Sequence, residues 1–416
     1  MLQDTWTSSF YGWRVVSAAF VLAVFGLGTG FYGPPIFLNA VQEARGWSLL
    51  LVSSAVTTHF LIGAVVTANL PTLYARWGTT NVTRLGALSI ALGVIGWAAA
   101  CHPWQLFMAA ALSGAGWVTM GVAAINAIVS PWFVRSRPTA LAVAYNGDGA
   151  NLGGVIFTPL WATGIALFGF ILTAATIGTA TVAVVWILTN RVLSITPEML
   201  GTRPDGGAPG ASATPIPQPP SRGPLWRDPK FQTLAMGTAL GLFAQIGLLA
   251  HLYSLLVPTL GKQTAGLAMG ATTALAVLGR TLIGWLMPPA CDRRLLAAAS
   301  YGLQVAGSFA FMAAQGTNVP VIIAAIVMFG LAFGNGTWLP PLIAQVEFAK
   351  EEVQRVVALV VAISQGAYAF APATLGLIHD LSDQVSVHPG TAPAVFIAAA
   401  LIQALAASVF LIGRKA

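Results

Sequence analysis

Charge is what this sequence has least of. Only 7% of its 416 residues are Asp, Glu, Lys or Arg while 56% are hydrophobic, and soluble domains carry about a quarter charged residues. A water-soluble globule of this length would need charge over most of its surface, so lipid has to replace water as the main solvent. Cysteine is nearly absent too. Cys101 and Cys291 are the two present, with no CxxC and no neighbouring His pair, which excludes a disulfide framework or a thiolate metal site and leaves packing as their expected role. The five His and twelve acids are scattered, without HExxH or GxSxG, so neither an enzyme activity nor a bound metal or cofactor is expected. No phosphate loop occurs, since Gly261-Lys262-Gln263 lacks the upstream Gly and the hydroxyl partner, and ATP-driven work is unsupported. A net charge of +7 without any basic cluster argues against nucleic acid as a partner. The first residues, Met1 to Phe10, carry no basic n-region and no small-residue cleavage site, so the first apolar run is expected to be retained as a helix.

What the sequence does have is apolar runs. Read between charges and Pro/Gly breaks, they give twelve spans at about 14–41, 48–75, 82–101, 105–133, 138–163, 167–190, 230–259, 264–288, 295–314, 319–346, 355–379 and 392–413, each long enough for a bilayer about 30 Å thick. The one long polar stretch, Arg191 to Arg227, holds eight prolines and reads as a flexible linker. The expected organisation is therefore a six-helix half over 1–190, a linker over 191–227 and a second six-helix half over 228–416. The halves echo each other. Each fifth span follows a basic loop (Arg135 and Arg137; Lys350 and Arg355) and carries a late proline (Pro159; Pro372), as suits a carrier that rocks around a central site.

Twelve spans put both termini on one side. Arg14, Arg76, Arg84, Arg135, Arg137, Arg191, Arg203, Arg222, Arg227, Lys230, Arg293, Arg294, Lys350, Arg355, Arg414 and Lys415 all fall there, while Arg45 and Lys262 fall opposite and Arg280 lies inside a span. By the positive-inside rule both termini are expected in the cytoplasm.

Two formal charges lie deep in the apolar runs, Asp148 in the fifth span and Arg280 in the eighth. Each costs about 3 kcal/mol or more there unless it is paired or faces water. Two readings fit: a salt bridge or polar helix contact, or a shared aqueous cavity where Arg280 takes a substrate carboxylate and Asp148 a proton. Tyr145, Asp148 and Asn151 are three apart and share one helical face. His251 in the seventh span, Gln365 and Tyr368 in the eleventh, Asn335 and Trp338 in the tenth and Trp117 in the fourth are cavity-lining candidates, each also explicable as helix-to-helix glue. His59 has only Thr57 and Thr58 for polar company and reads better as packing. Gly28, Gly30 and Gly33 form a Gly-x-Gly-x-x-Gly inside the first span, where close helix approach explains them better than a dinucleotide. Gly26/Gly30, Gly149/Gly153 and Gly330/Gly334 are GxxxG pairs of the same kind.

These pieces together resemble the major facilitator superfamily, and within it the bacterial monocarboxylate transporter and oxalate/formate antiporter group. The resemblance rests on Phe10-Tyr11-Gly12-Trp13-Arg14 entering the first span, the loop from Trp132-Phe133 to Arg137 before Gly153-Gly154 and Pro159, His251-Leu252, and Gly279-Arg280 with Gly284. It implies an all-α fold of twelve transmembrane helices in two pseudo-symmetric halves, and it carries the role of carboxylate ligand over to Arg280. Leu73-Tyr74-Ala75-Arg76-Trp77-Gly78 looks like a reduced copy of the superfamily's cytoplasmic gate motif, keeping Arg76 and Gly78 without the Asp. Where oxalate antiporters carry a second basic residue in the eleventh span, this chain has Gln365 and Tyr368, which favours a monoanion. Animal-type monocarboxylate carriers place an Asp four residues before the eighth-span Arg; here Ala276 stands there, so Asp148 would have to handle the proton.

The expectation is a monomeric, multi-pass protein of the bacterial inner membrane that moves a small organic anion, lactate- or pyruvate-like, with a proton by alternating access. The alternatives are an anion exchanger of oxalate/formate type without a proton, and a membrane sensor that transports nothing.

Overall fold

The computed structural model describes residues 10–134, 136–141, 143–144, 149–206, 225–286, 291–383 and 392–414. Those residues form helices and no strand, as expected where no water is available to satisfy backbone N–H and C=O groups. Eleven helices are long and apolar enough to cross a membrane. One of them, Leu49–Ala99, has 51 residues, more than twice the ~20 a crossing needs. It bends at Gly78, whose φ of +76° and ψ of 153° are not helical, so it makes the second and third crossings and the total is twelve. Gly78 and Arg76 thus form the turn between these spans, with the Arg76 guanidinium 5.9 Å over the Trp77 ring.

The span limits agree with the sequence reading to within a few residues, but several spans are not continuous. The first breaks after Gly30 and resumes at Pro34. The fourth runs Pro103–Trp117 and resumes at Val122 beyond a tighter turn. The tenth is Val319–Phe333 and Asn335–Glu347, and the eleventh is Lys350–Tyr368 and Ala371–Asp383. Irregular backbone at membrane depth is tolerated only where protein or a cavity surrounds it, so the breaks mark inward-facing stretches. Hydropathy does not register them because their residues are as apolar as the helices.

The glycine pairs act as close-packing points. A Cβ on Gly30 would run into Trp117, one on Gly28 into Phe157, and one on Gly153 would lie 2.7 Å from the Val24 carbonyl oxygen. Gly330 approaches Thr272 and Leu275 of the eighth span in the same way.

Two expectations need correction. Cys101 is exposed at the turn between the third and fourth spans rather than packed, and Cys291 is only partly covered, because both sit in connections rather than inside a span. The linker is not loose over its described part. The Thr80 hydroxyl donates to the Leu193 carbonyl, Tyr11 donates to the Arg191 and Val192 carbonyls, and the Asp205 carboxylate accepts from the Val134 and Ser136 amides at 2.9 and 3.1 Å. Residues 191–206 therefore lie folded against the first six spans, around a cavity of about 180 Å³ lined by Thr79, Thr80, Thr83, Trp132 and Glu198.

Burial also adds a charge that span counting left in a loop. The Arg294 side chain is 2% exposed and forks onto Glu347 at 2.6 and 2.7 Å, with further bonds to the Lys230 carbonyl and the Thr233 hydroxyl. It ties together the seventh, ninth and tenth spans at the face where the termini lie. Nearby, Arg414 pairs with Asp292, which also caps the ninth span through the amides of Arg294 and Leu295. Burial alone would raise the Asp292 carboxyl, but these amide bonds and the Arg414 charge outweigh it and hold it below its ordinary value.

Candidate functional site

The two sets of six spans meet along two antiparallel seams. In the first, Leu50, Ser53, Thr57 and Phe60 of the second span, spaced three or four apart on one helical face, meet the eleventh. The Leu50 amide donates to the Asp380 carboxylate at 2.9 Å, which places a negative group at the open N-terminus of the second-span helix. A Cβ on Gly376 would lie 3.1 Å from that of Ser53. The Ala373 amide donates to the Thr57 hydroxyl at 3.2 Å, and the Phe60 ring meets Tyr368 edge-on, centroids 5.9 Å apart.

The second seam joins the fifth and eighth spans. Gly266 packs on Ala162, Gly270 on the Val155 carbonyl and the Thr158 hydroxyl, and Gly154 on Thr273. Both seams lie on the side away from the termini, where Lys262 also meets Glu43 at 2.6 Å. That exposed pair contributes little stability by itself. The buried core says the same: Leu38, Val52 and Val56 of the first half share one cluster with Leu248, Leu252 and Leu375 of the second. Among the described residues, Phe231, Leu234, Ile343, Val356 and Phe410 form a separate cluster on the terminal side, drawn from the second half alone. The halves are zipped at the far face.

Arg280 sits where the second seam runs toward the terminal side. It lies 18 residues beyond Lys262 in the eighth span, about 27 Å along the helix at 1.5 Å per residue. Helical side chains lean toward the N-terminus, which carries its head back toward the centre. There the tenth span is interrupted at Gly334, and a Cβ on Gly334 would lie 3.0 Å from Arg280 Nε. The missing side chain makes the space that the guanidinium occupies. Gly279 does the same for the backbone, since a Cβ there would overlap the Leu331 carbonyl. We therefore expect Gly279→Ala to cost about 1–3 kcal/mol through overpacking, read as a lower unfolding temperature in detergent. Gly302→Ala in the ninth span, where a Cβ meets open space, should leave that temperature unchanged or raise it.

Tyr32, in the break of the first span, meets the eighth span two turns from Arg280: a Cβ on Gly154 would lie 2.7 Å from Thr273 and 2.8 Å from the Tyr32 ring. Its hydroxyl makes a long contact, 3.5 Å, with Asn151 Oδ1. Neither Tyr32 nor Thr273 is among the residues that the sequence singles out. The available signal for Tyr32 is its place just before Gly33-Pro34-Pro35, where the helix breaks.

The other candidates fall into two groups. Trp117 and Tyr368 gather with the aromatic residues Phe31 and Phe60: Phe31 lies 5.0 Å from Tyr32, 6.0 Å from Phe60 and 6.3 Å from Trp117 between centroids. Gln365 is half-buried at the end of the helix before the eleventh-span break, where its carbonyl accepts from the Ala369 amide. His251, Asn335 and His59 already have partners away from Arg280. His251 Nε2 contacts the Pro372 carbonyl at 2.9 Å, Asn335 Nδ2 donates to Ser300 of the ninth span at 3.2 Å, and both His59 nitrogens are engaged, with Ser113 and the Gly30 carbonyl. Trp338 packs across from Gly284. Tyr145 and Asp148 lie outside the described residues.

Comparison with known proteins gives one family. The family model described as Major Facilitator Superfamily matches residues 18–372. No curated protein matches the sequence significantly. Among solved structures, the chain is similar to a bacterial homologue of the human lysosomal transporter Spinster, inward-facing and occupied, with a TM-score of 0.74 and 15% identity over 98% of both chains. The same homologue, inward-facing and unoccupied, gives 0.70 and 14% over 98% of this chain and 96% of that one. A point mutant of the nucleoside transporter NupG gives 0.73 and 12% over 96% of this chain and 99% of that one. At these identities the likeness is one of fold.

Proposed function

The chain belongs to the major facilitator superfamily of secondary transporters, and from that premise we propose that it carries a small monocarboxylate together with a proton. The observation that supports this best is Arg280: one guanidinium carried by a span that packs against the other half, seated in the gap left by Gly334. A guanidinium in such a place binds a carboxylate through two parallel N–H bonds. A single cation suits a single negative charge, as in the lactate- and pyruvate-like substrates of the monocarboxylate group.

Asp148 is the proton carrier in this reading. What supports the assignment is the sequence: Asp148 is the other formal charge deep in an apolar run, in the first half as Arg280 is in the second. In the empty carrier, Asp148 is the counter-charge of Arg280. An arriving carboxylate takes over the guanidinium and a proton neutralises Asp148, so anion and proton load together and no net charge moves. The protein works as a monomer in a bacterial inner membrane with both termini in the cytoplasm, so the zipped far face is the outer one.

Asp148→Asn tests the coupling. The variant is expected to exchange labelled substrate across proteoliposomes at a rate near that of wild type and to lose accumulation driven by a pH gradient. Accumulation that survives the substitution would remove Asp148 from the mechanism.

A further inference from the structure

The third and sixth spans lie side by side, a Cβ on Gly178 reaching to 3.3 Å from Ala91, and their outward face is left to lipid. Arg84, Leu88 and Leu92 of the third span are four apart and form one stripe along the helix. Leu88 and Leu92 are 38% and 59% exposed, and Trp186 of the sixth span, over whose ring Arg84 lies, is 43% exposed. Arg84 stands six residues past the Gly78 turn, about 9 Å along the helix. Its side chain leans back toward that turn, so the charged head reaches the interface on the side of the termini while its stem stays among apolar groups. An exposed Trp beside it marks the same level.

Three neutral groups hold Arg84 in place. Its Nε donates to the Thr189 hydroxyl at 3.0 Å, a terminal nitrogen donates to Asn190 Oδ1, and Cζ lies 5.1 Å from the centroid of the Trp186 ring. None of them neutralises it. Among the described residues no acid pairs with Arg84, whereas Arg294 and Arg414 on the same side are paired with Glu347 and Asp292. Two of the five guanidinium N–H groups are spent on these bonds, which leaves three for an anion. More positive charge is at hand: Arg191 follows Asn190 and is exposed, and Arg14 lies 5.8 Å over Tyr11, whose hydroxyl reaches the Arg191 carbonyl. A guanidinium suits a phosphate, and the exposed leucines that run down from it suit an acyl chain, for which a free anion has no use. We propose that Arg84 is the headgroup anchor of an anionic phospholipid, with the phosphate on its remaining N–H groups and one acyl chain along Leu88 and Leu92. The site is separate from Arg280 and takes no part in the proposed carboxylate binding.

Short-chain lipids titrated onto the purified full-length protein, with binding followed by native mass spectrometry and by unfolding temperature, test this. Dioctanoyl phosphatidylglycerol should bind about fivefold more tightly than dioctanoyl phosphatidylcholine, the preference that one Arg near the surface confers on an anionic headgroup. Arg84→Gln should remove that preference and Arg84→Lys should keep part of it. Arg227→Gln, which removes an exposed cation on the same side, should leave it whole. Leu92→Gln, which keeps Arg84 and its partners, should weaken phosphatidylglycerol about threefold through the lost chain contact, and it keeps the proposal open to test if Arg84→Gln does not fold. Equal binding of the two lipids, a preference that survives Arg84→Gln, one lost equally in Arg227→Gln, or phosphatidylglycerol binding unchanged by Leu92→Gln overturns the proposal. So does inorganic phosphate that protects the protein through Arg84 as well as the lipid does, which would make this a phosphate site without a lipid.

Discussion

Arg280→Ala should lower carboxylate affinity more than a hundredfold, the largest effect of any single substitution in this chain. Truncating one partner of a desolvated, hydrogen-bonded charge pair costs about 2–5 kcal/mol, and about 2.8 kcal/mol is a hundredfold in Kd. The substrate would also have to leave water for a site that no longer offers a cation. Arg280→Lys should recover little of this. An ammonium keeps the charge but has no planar fork to match a carboxylate, and its compact head does not fill the gap at Gly334 that the guanidinium occupies. Calorimetric or thermal-shift titration of both variants measures the loss. Unfolding temperatures without ligand show whether the fold survives. Near-normal affinity in Arg280→Lys would mean that the site reads charge and not shape.

The second large effect concerns motion. If the halves rock, the seam between the second and eleventh spans has to part once per cycle, because Leu50 to Asp380, Thr57 to Ala373 and Phe60 to Tyr368 all join one half to the other. A covalent bond across that seam should stop transport. Positions 53 and 376 suit one: their Cβ atoms would stand 3.1 Å apart, just short of the ~3.5–4.5 Å that a disulfide spans. With Cys101 and Cys291 replaced by Ser, the pair Ser53→Cys and Gly376→Cys is expected to lose nearly all flux on oxidation and to regain it on reduction. Each single variant should keep transporting under the same oxidant. A cross-linked protein that carries substrate at the normal rate would show that this seam does not open, and alternating access between these halves would be wrong.

The architecture was legible in the sequence because lipid leaves so few choices. Twelve apolar runs with their charges sorted to one side are enough for twelve helices, and even the 51-residue helix resolves into two spans once Gly78 is seen to turn the chain. Arg280 was legible for the same reason, as a charge that an apolar helix would not otherwise keep. Tyr32, Thr273 and Phe60 were not. They look like ordinary membrane residues, and only the break after Gly30 and the seam pairings bring them to the centre. Arg294 was hidden in the opposite way. It reads as a loop cation that orients the protein, yet folding buries it against Glu347, a partner 53 residues away that no local pattern connects to it. His251 and Asn335 each spend one polar atom on a neighbouring segment, the Pro372 carbonyl and Ser300, as buried donors in a helical bundle do, and each keeps a second buried atom, Nδ1 and Oδ1, without a hydrogen bond among the described residues.

Coupling of a monocarboxylate to a proton through Arg280 can be measured in proteoliposomes with an imposed pH gradient and a labelled carboxylate. A symporter of this kind should accumulate the label above its equilibrium level, lose that accumulation when a protonophore is added, ignore an imposed membrane potential, and show none of this in Arg280→Ala. Equal accumulation with and without the pH gradient, or undiminished accumulation by Arg280→Ala, would rule the coupling out.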